Sequence, residues 1–567
     1  MMMIDAKSET ILDCKQSSLF QFLKNYGWIF VFFIIGFGSL VFSLGKNFLQ
    51  VPGDLGDARF NNYILEHFYQ WLIHRETDYW NAPIFYPYPL ATAFSDNLLG
   101  SAPFYAVIRI LGFSRETAFQ GWFLFGFVLN YVVSAYVLKK VNLHSLSVAT
   151  GAFLFTFGLP MLAQEGHPQL IYRFCIPAAC YFLYDFTNKP KLKTIFFLMT
   201  AIIWQFYLTI YMGFFLLLLI VVMAFMIPLS ASSINIIKFW FSRIRSAWKD
   251  ARGSHKLWCI AGLILLTALL VHLFIPYLQV TNLYHFSRGF DEIKTMLPRL
   301  SSYLLSDHST LWRLGMNNFK DLPMRHEHQL FPGLAAAILL LIGMLWKKTD
   351  EKIPFLQIHA TSLLIIFLIT ISVNEKSLYY LLLKIPGYNS IRAVTRIQLV
   401  LLWPLAVYIA FVIDRMVRLN SSSFRVKAAL GVILLLMVSE SVFFSHSTYS
   451  KIEGQKRVDS LRKIAEYSLK KANYPDPVLL IHGKAGDPWQ ITALDAMLTA
   501  QELGVPLING YSGNAPAYSF AEWMHSCQTL PGSVNFYVDK ANEFLQDPGL
   551  KLKERIVYVR YWECGLY

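Results

Sequence analysis

Apolar stretches of roughly 16 to 22 residues recur along this chain, the length that a bilayer core about 30 Å thick demands of a helix rising about 1.5 Å per residue. They fall near 28–44, 118–138, 146–163, 171–186, 194–211, 212–229, 257–277, 330–346, 358–373, 397–413 and 427–444. The pattern predicts an α-helical polytopic membrane protein with about eleven transmembrane helices. The first stretch follows a Lys-bearing polar segment and has no small-x-small cleavage site after it, so it reads as a retained anchor. Shorter patterns lie between the runs. Gly100 to Phe113 is apolar but brief and carries Pro103 and Arg109, and Ala58 to His74 sets Phe60, Ile64, Phe68 and Leu72 at helical spacing. Both are expected to lie along the outer interface rather than to cross.

Beyond residue 444 the rhythm changes to α/β. Val478 to His482, Val505 to Ile508 and Arg555 to Arg560 read as strands, and Trp489 to Leu503 reads as a helix. The expected organisation is a cytoplasmic segment 1–27, a transmembrane domain 28–444 with outer loops 45–117, 278–329 and 374–396, and an extracytoplasmic α/β domain 445–567. Residues 504–516, GVPLINGYSGNAP, form a turn-rich segment that joins strand to helix or serves as a binding loop.

Composition agrees with this layout and charge gives it a direction. The 567 residues are 55% hydrophobic and 15% charged, which describes a chain whose outer surface meets lipid. The net charge of +14 raises nucleic acid as a partner, but the cations sit in short loops between apolar runs. With the N-terminus in the cytoplasm, the loops on that side and their boundaries hold 18 Lys or Arg against 4 Asp or Glu. That asymmetry obeys the positive-inside rule, excludes a nucleic-acid reading and puts the C-terminal domain outside. The N-x-Ser match at Asn420 falls on the cytoplasmic side, which favours the inner membrane of a bacterium over a secretory lumen. Cys527 and Cys564 are the two cysteines of the outer tail and are free to pair there.

Three polar clusters share the outer face. The first loop reads GDLGDARFNNYILEH, with Asp54 and Asp57 on a Gly-containing turn and Glu66 and His67 on the helix after it. A carboxylate at the water–lipid boundary can act as a base toward a hydroxyl, and an ordinary solvated turn is the plainer reading. The second loop, AQEGHPQLIYR, packs Glu165, His167, Gln169 and Arg173 into a few residues, as a site or as helix-end caps. The third carries Arg392 and Arg396, four apart, suited to a phosphate or to lipid headgroups. The run Arg325-His-Glu-His328 has its histidines only two apart and fits no zinc pattern.

Taken together, the acidic turn after the first span, the two interfacial helices, WNAPIFYPYPL (Trp80 to Leu90) and the polar second loop resemble the GT-C class of integral-membrane glycosyltransferases. The resemblance covers roughly residues 28 to 410, and GYSG at Gly510 to Gly513 is similar to the uncharacterised bacterial branch of that class. It implies a polyprenyl-phosphate-linked sugar donor, a glycan, lipid or protein acceptor in the envelope, and transfer outside the cytoplasm. Asp57, or Asp54, would be the catalytic carboxylate of the first loop and Glu165 the acid of the second. Glu66, His67, His167, Gln169, Arg173, Arg392 and Arg396 are the expected substrate-binding residues. The second loop has Glu-Gly-His where a pair of acids is the pattern, and no Trp-Trp-Asp run follows in the tail. No metal site is assigned, and a divalent cation is left open. The rival readings are a flippase for lipid-linked glycans, which would bury charges at the bilayer midplane, and a noncatalytic scaffold of envelope assembly.

Overall fold

A computed structural model describes the chain except residues 1–4, 232, 234, 314–318, 320, 346–353, 420–422, 484–486, 517–529, 547–550 and 561–567. Cys527, Cys564 and Asn420 lie outside the described residues. Each apolar run falls on a helix. In order these begin with α1 (Asp5–Ser43), α2 (Asp57–Leu72), α3 (Ala102–Ile110), α4 (Arg115–Lys140), α5 (Ser145–Phe157) and the single turn α6 (Leu159–Leu162). There follow α7 (Cys175–Asn188), α8 (Leu192–Leu208), α9 (Ile210–Ser230), α10 (Ile236–Asp250), α11 (Gly253–Tyr284) and α12 (Phe290–Thr295). The bundle is completed by α13 (Leu334–Leu345), α14 (Pro354–Thr370), α15 (Gln398–Leu419) and α16 (Phe424–Val442).

Among the described residues, six helical segments are long and apolar enough to cross a membrane by length and composition: Lys24–Ser43, Arg115–Lys140, Ser145–Leu162, Ile210–Ser230, Gly253–Tyr284 and Val394–Leu419. Leu192–Leu208, Leu334–Leu345 and Pro354–Thr370 are apolar but shorter. α5 lies at the centre, packed by α1, α4 and α15, and is buried along its whole length. α3 has nine residues and reaches only about 14 Å, well short of a bilayer core. Its Val107 and Ile110, with Leu111 after it, are exposed. α2 departs from a free interfacial helix, because every residue from Ala58 to Phe68 is buried against neighbouring elements.

Two backbone seams tie residues 45–117 to the tail. Strand β1 (Gln50–Pro52) pairs antiparallel with β2 (Thr448–Ser450), the segment that leaves α16. Gly53 follows at φ +90°, a conformation that L side chains avoid, and a Cβ there would stand 2.4 Å from Ala58 Cβ. The second seam joins the WNAPIFYPYPL segment to the turn-rich loop: Tyr86 N donates to Leu507 O at 2.9 Å, and Leu507 N donates to Pro83 O at 2.9 Å.

In the tail, α17 (Lys451–Ala472) precedes β3 (Val478–Ile481), α18 (Trp489–Leu503), α19 (Leu530–Leu545), α20 (Leu552–Arg555) and β4 (Ile556–Val559). β3 and β4 run parallel. The expected strand at 505–508 is reduced to an isolated bridge between Leu479 and Leu507. Pro506 has no N–H to give to a ladder, and beyond it the Asn509 side chain, rather than its backbone, bonds both Ile481 N and Ile481 O.

Candidate functional site

Asp54 and Asp57 have different tasks. The α2 N-cap, Gly56, has no side chain to offer, and Asp54 Oδ1 accepts from Gly56 N at 3.1 Å and Ala58 N at 3.2 Å in its place. Asp54 thus fixes the first turn, and Asp57 begins the helix with its carboxylate held on two sides. Its Oδ2 lies 2.8 Å from His167 Nδ1, and its Oδ1 accepts from the Tyr511 hydroxyl at 2.5 Å. Burial works to raise the Asp57 pKa, but the hydrogen bond and charge of His167, the Tyr511 hydroxyl and the Arg396 charge outweigh it and hold the group at about 2.

His167 stands between two carboxylates, with Nε2 3.4 Å from Glu327 Oε1. Burial and the Arg396 charge push its pKa down, and the hydrogen bonds to Asp57 and Glu327 with the Glu327 charge more than reverse that, leaving it raised. Glu327 is in turn forked by Arg396, Nη2 to Oε1 at 2.6 Å and Nε to Oε2 at 3.1 Å, in a pair that is nearly fully buried. One chain of contacts therefore runs Tyr511–Asp57–His167–Glu327–Arg396.

Beside this chain opens a cavity of about 510 Å3. Asp57, Gln169, Arg392 and Arg396 line it, together with Arg288 and Lys384, so cations outnumber carboxylates on its polar side. Phe214, Phe274, Leu278 and Leu383 form its apolar side. Arg392 donates to Glu292 at 3.0 Å, and Arg288 Nη2 donates to Gly513 O at 2.6 Å. Asp96 also faces the cavity and accepts from Ile210 N at 2.7 Å, capping α9.

The other residues singled out from the sequence lie elsewhere. Glu165 is buried against His446, whose Nδ1 is 2.8 and 3.0 Å from its two oxygens, and it does not line the cavity although Gln169, four residues on, does. Glu66 is taken up by Arg109 at 2.8 and 3.0 Å and by the Tyr105 hydroxyl at 2.6 Å. His67 is buried against Tyr79 O, and burial lowers its pKa to about 4, which keeps it neutral. Arg173 is fully buried and donates to Leu399 O and Phe155 O, so it ties helix ends together. Burial, not exposure to the cavity, is what these four polar groups share.

Three contributors were not legible as such. Tyr511 comes from the turn-rich loop, delivered by the seam with residues 83–86; Gly510 lets that loop approach, since a Cβ there would meet the Phe85 ring at 2.4 Å. Glu327 and His326 come from the run whose spacing fitted no zinc pattern. His328, the second histidine of that run, is spent on Ser302 and Thr295 O. His167, His326 and Glu327 offer ligand atoms within 4.8 Å of one another, and this nitrogen and carboxylate set suits a divalent cation of the zinc or manganese kind.

No family model matches the sequence, and no curated protein matches it. Among solved structures the chain is similar to the arabinofuranosyltransferase AftD from mycobacteria, at 14% identity and a TM-score of 0.48, over 80% of this chain and 29% of that one. It is similar also to the archaeal oligosaccharyltransferase AglB from Archaeoglobus fulgidus in complex with an inhibitory peptide and a dolichol-phosphate, at 14% identity and a TM-score of 0.48, over 92% of this chain and 69% of that one. An Archaeoglobus fulgidus oligosaccharyltransferase with zinc and sulfate matches at 14% identity and a TM-score of 0.45, over 85% and 62%. These neighbours are GT-C-type membrane glycosyltransferases. This chain spans less than a third of the length of AftD.

Two outcomes follow from the geometry. Tyr511→Phe removes a hydrogen bond to a charged group, so Asp57 should titrate higher; an unchanged Asp57 titration, followed by NMR, would show that the loop does not serve the carboxylate. The His446 pKa is lowered by burial and raised further by the Glu165 charge and hydrogen bond, with a net rise. A raised histidine stabilises the fold fully below its unfolded value of about 6.5, and the contribution is lost as pH rises through the folded pKa. His446→Gln should accordingly lower the thermal midpoint more at pH 6 than at pH 9.

Proposed function

We propose that this chain is a GT-C-type membrane glycosyltransferase that moves a sugar from a polyprenyl-phosphate carrier to an envelope acceptor, a glycan, lipid or protein, on the extracytoplasmic face of the inner membrane. One observation carries the reading: a single cavity presents the Asp57 carboxylate, Arg392 and Arg396, and an apolar wall of Phe214, Phe274, Leu278 and Leu383. A carboxylate suits an acceptor hydroxyl, guanidinium groups suit a phosphate, and the apolar wall suits an isoprenoid. In the membrane the donor approaches sideways between helices.

In this mechanism the acceptor oxygen attacks the anomeric carbon from the Asp57 side, in an inverting displacement. The bond from that carbon to the phosphate oxygen breaks, and its electron pair leaves with the phosphate, whose growing charge Arg392 and Arg396 stabilise. Asp57, with its pKa held near 2, is a weak base in the resting state. Its work is first to orient the hydroxyl and to keep a negative charge beside it, and the proton transfers only once attack has made that oxygen acidic. His167 holds Asp57 in place and is itself held by Glu327. A divalent cation kept by His167, His326 and Glu327 would supply further positive charge for the phosphate.

Mass spectrometry of envelope glycans from cells with and without this chain tests the reading. Loss of one sugar mass from one glycan or glycolipid is expected, and identical glycans would overturn it. The accompanying topology has about eleven crossings with the tail outside. Reporter fusions at Lys249 and Ser460 should report opposite sides of the membrane, and a shared side would refute the orientation.

A further inference from the structure

α10 connects the ends of α9 and α11 that lie away from the cavity, since Tyr211 and Phe214 at the start of α9 and Phe274 and Tyr277 late in α11 are the residues that line it. The helix reads IIKFWFSRIRSAWKD and presents three distinct sides. One side is docked: Trp240 Nε1 donates to Ala224 O at 2.9 Å, the Trp240 ring stacks on Phe186 with centroids 6.4 Å apart, and Ala247 is buried.

A second side is apolar and open. Ile237, Phe241, Ile244 and Trp248 recur at i, i+4, i+7 and i+11, so they share one face. They are 83%, 64%, 47% and 43% exposed, and the open surface continues into Leu257 and Trp258 at the start of α11. The third side is basic. Lys238, Arg245 and Lys249 follow the same helical spacing about 100° away on the wheel, and all three are exposed. Asp250, the last residue, is the only acid in the helix.

Four large apolar side chains in a row would be costly in water, and the interior of the bilayer would not accept the basic edge. Both are satisfied at one place, the boundary between acyl chains and headgroups, with the apolar stripe facing inward and the basic edge level with the phosphates. A neutral headgroup offers the edge no net charge, whereas an anionic one complements it. We propose that α10 is an in-plane helix that binds anionic phospholipid headgroups in the leaflet opposite the cavity. This goes beyond sugar transfer and does not depend on it.

The test uses the full chain in nanodiscs of phosphatidylcholine with and without phosphatidylglycerol. Association of spin-labelled phosphatidylglycerol is compared with that of spin-labelled phosphatidylcholine. The wild type should prefer the anionic lipid, and the preference should fall at least ~5-fold when Lys238→Gln, Arg245→Gln and Lys249→Gln are combined. It should survive Lys238→Arg with Lys249→Arg, and weaken with salt. Equal selectivity in the wild type and the triple-Gln variant would overturn the proposal. So would an equal loss on neutralising Lys189, Lys191 and Lys193 in the neighbouring loop instead. A second measurement needs no variant: hydrogen exchange across residues 236–250 of the wild type should slow when phosphatidylglycerol is included. Protection indifferent to lipid charge would mean that a neutral lipid or a protein covers the helix, and would sink the assignment.

Discussion

Asp57→Asn is expected to abolish sugar transfer, by about two to four orders of magnitude, while leaving the protein folded. The substitution keeps the volume of the side chain and one carbonyl oxygen. It removes the charge that faces His167 and the Tyr511 hydroxyl, and with it the only carboxylate of the Tyr511-to-Arg396 chain that lines the cavity. Asp54→Asn should do less, because Asp54 acts on the site through the first turn of α2. The measurement is turnover of a labelled polyprenyl-phosphate sugar by purified protein, with thermal midpoints taken in parallel. Full activity in Asp57→Asn would remove the carboxylate from the reaction and favour a role for the cavity in binding alone.

Asp495→Ala should be the most destabilising single change in the tail, by about 3 to 5 kcal/mol. Asp495 sits on α18 and receives Arg457 of α17 through Nε at 2.9 Å and Nη2 at 2.6 Å. It also stands 2.6 Å from Arg59 of α2, as an ion pair without hydrogen-bond alignment, for neither Arg59 Nη2 nor Asp495 Oδ1 completes a hydrogen bond there. Arg59 is 2% exposed and has no second carboxylate among its described ion pairs, so removing Asp495 leaves a buried cation uncompensated. Arg457 keeps Asp487 and suffers less. Asp459→Ala, in an exposed pair with Arg462, should shift the thermal midpoint hardly at all. If the two variants melt together, the seam between α2 and α18 is held by packing and not by charge.

The helices were legible because a membrane imposes length and apolarity on each crossing separately. No partner is needed to recognise Ile210–Ser230 as a span, and in the tail Trp489 to Leu503 matched its helix at both ends. The shortness of α3 was readable for the same reason, from a brief apolar run that carries Pro103 and Arg109. What failed to show was pairing. Glu66, His67, Glu165 and Arg173 look in sequence like residues waiting for a substrate, and each is already engaged by a partner 12 to 281 positions away. Glu327 has the opposite history, because its meaning depends on Arg396, 69 residues later, and on His167 far before it. Spacing rules see ligands that share one helix or one turn. The histidine and glutamate gathered here come from two loops, and only folding brings them within reach.

The contact between Tyr511 and Asp57 joins residues 454 positions apart in the chain. At about 5 to 20 residues per second of synthesis, roughly 23 to 90 seconds separate the emergence of the carboxylate from that of the phenol. Throughout that interval Asp57 has already been made, yet it has no Tyr511 hydroxyl to close against. Completion of the site is thereby coupled to synthesis of the tail, and a ribosome-bound chain stalled before residue 511 would hold Asp57 without its phenol.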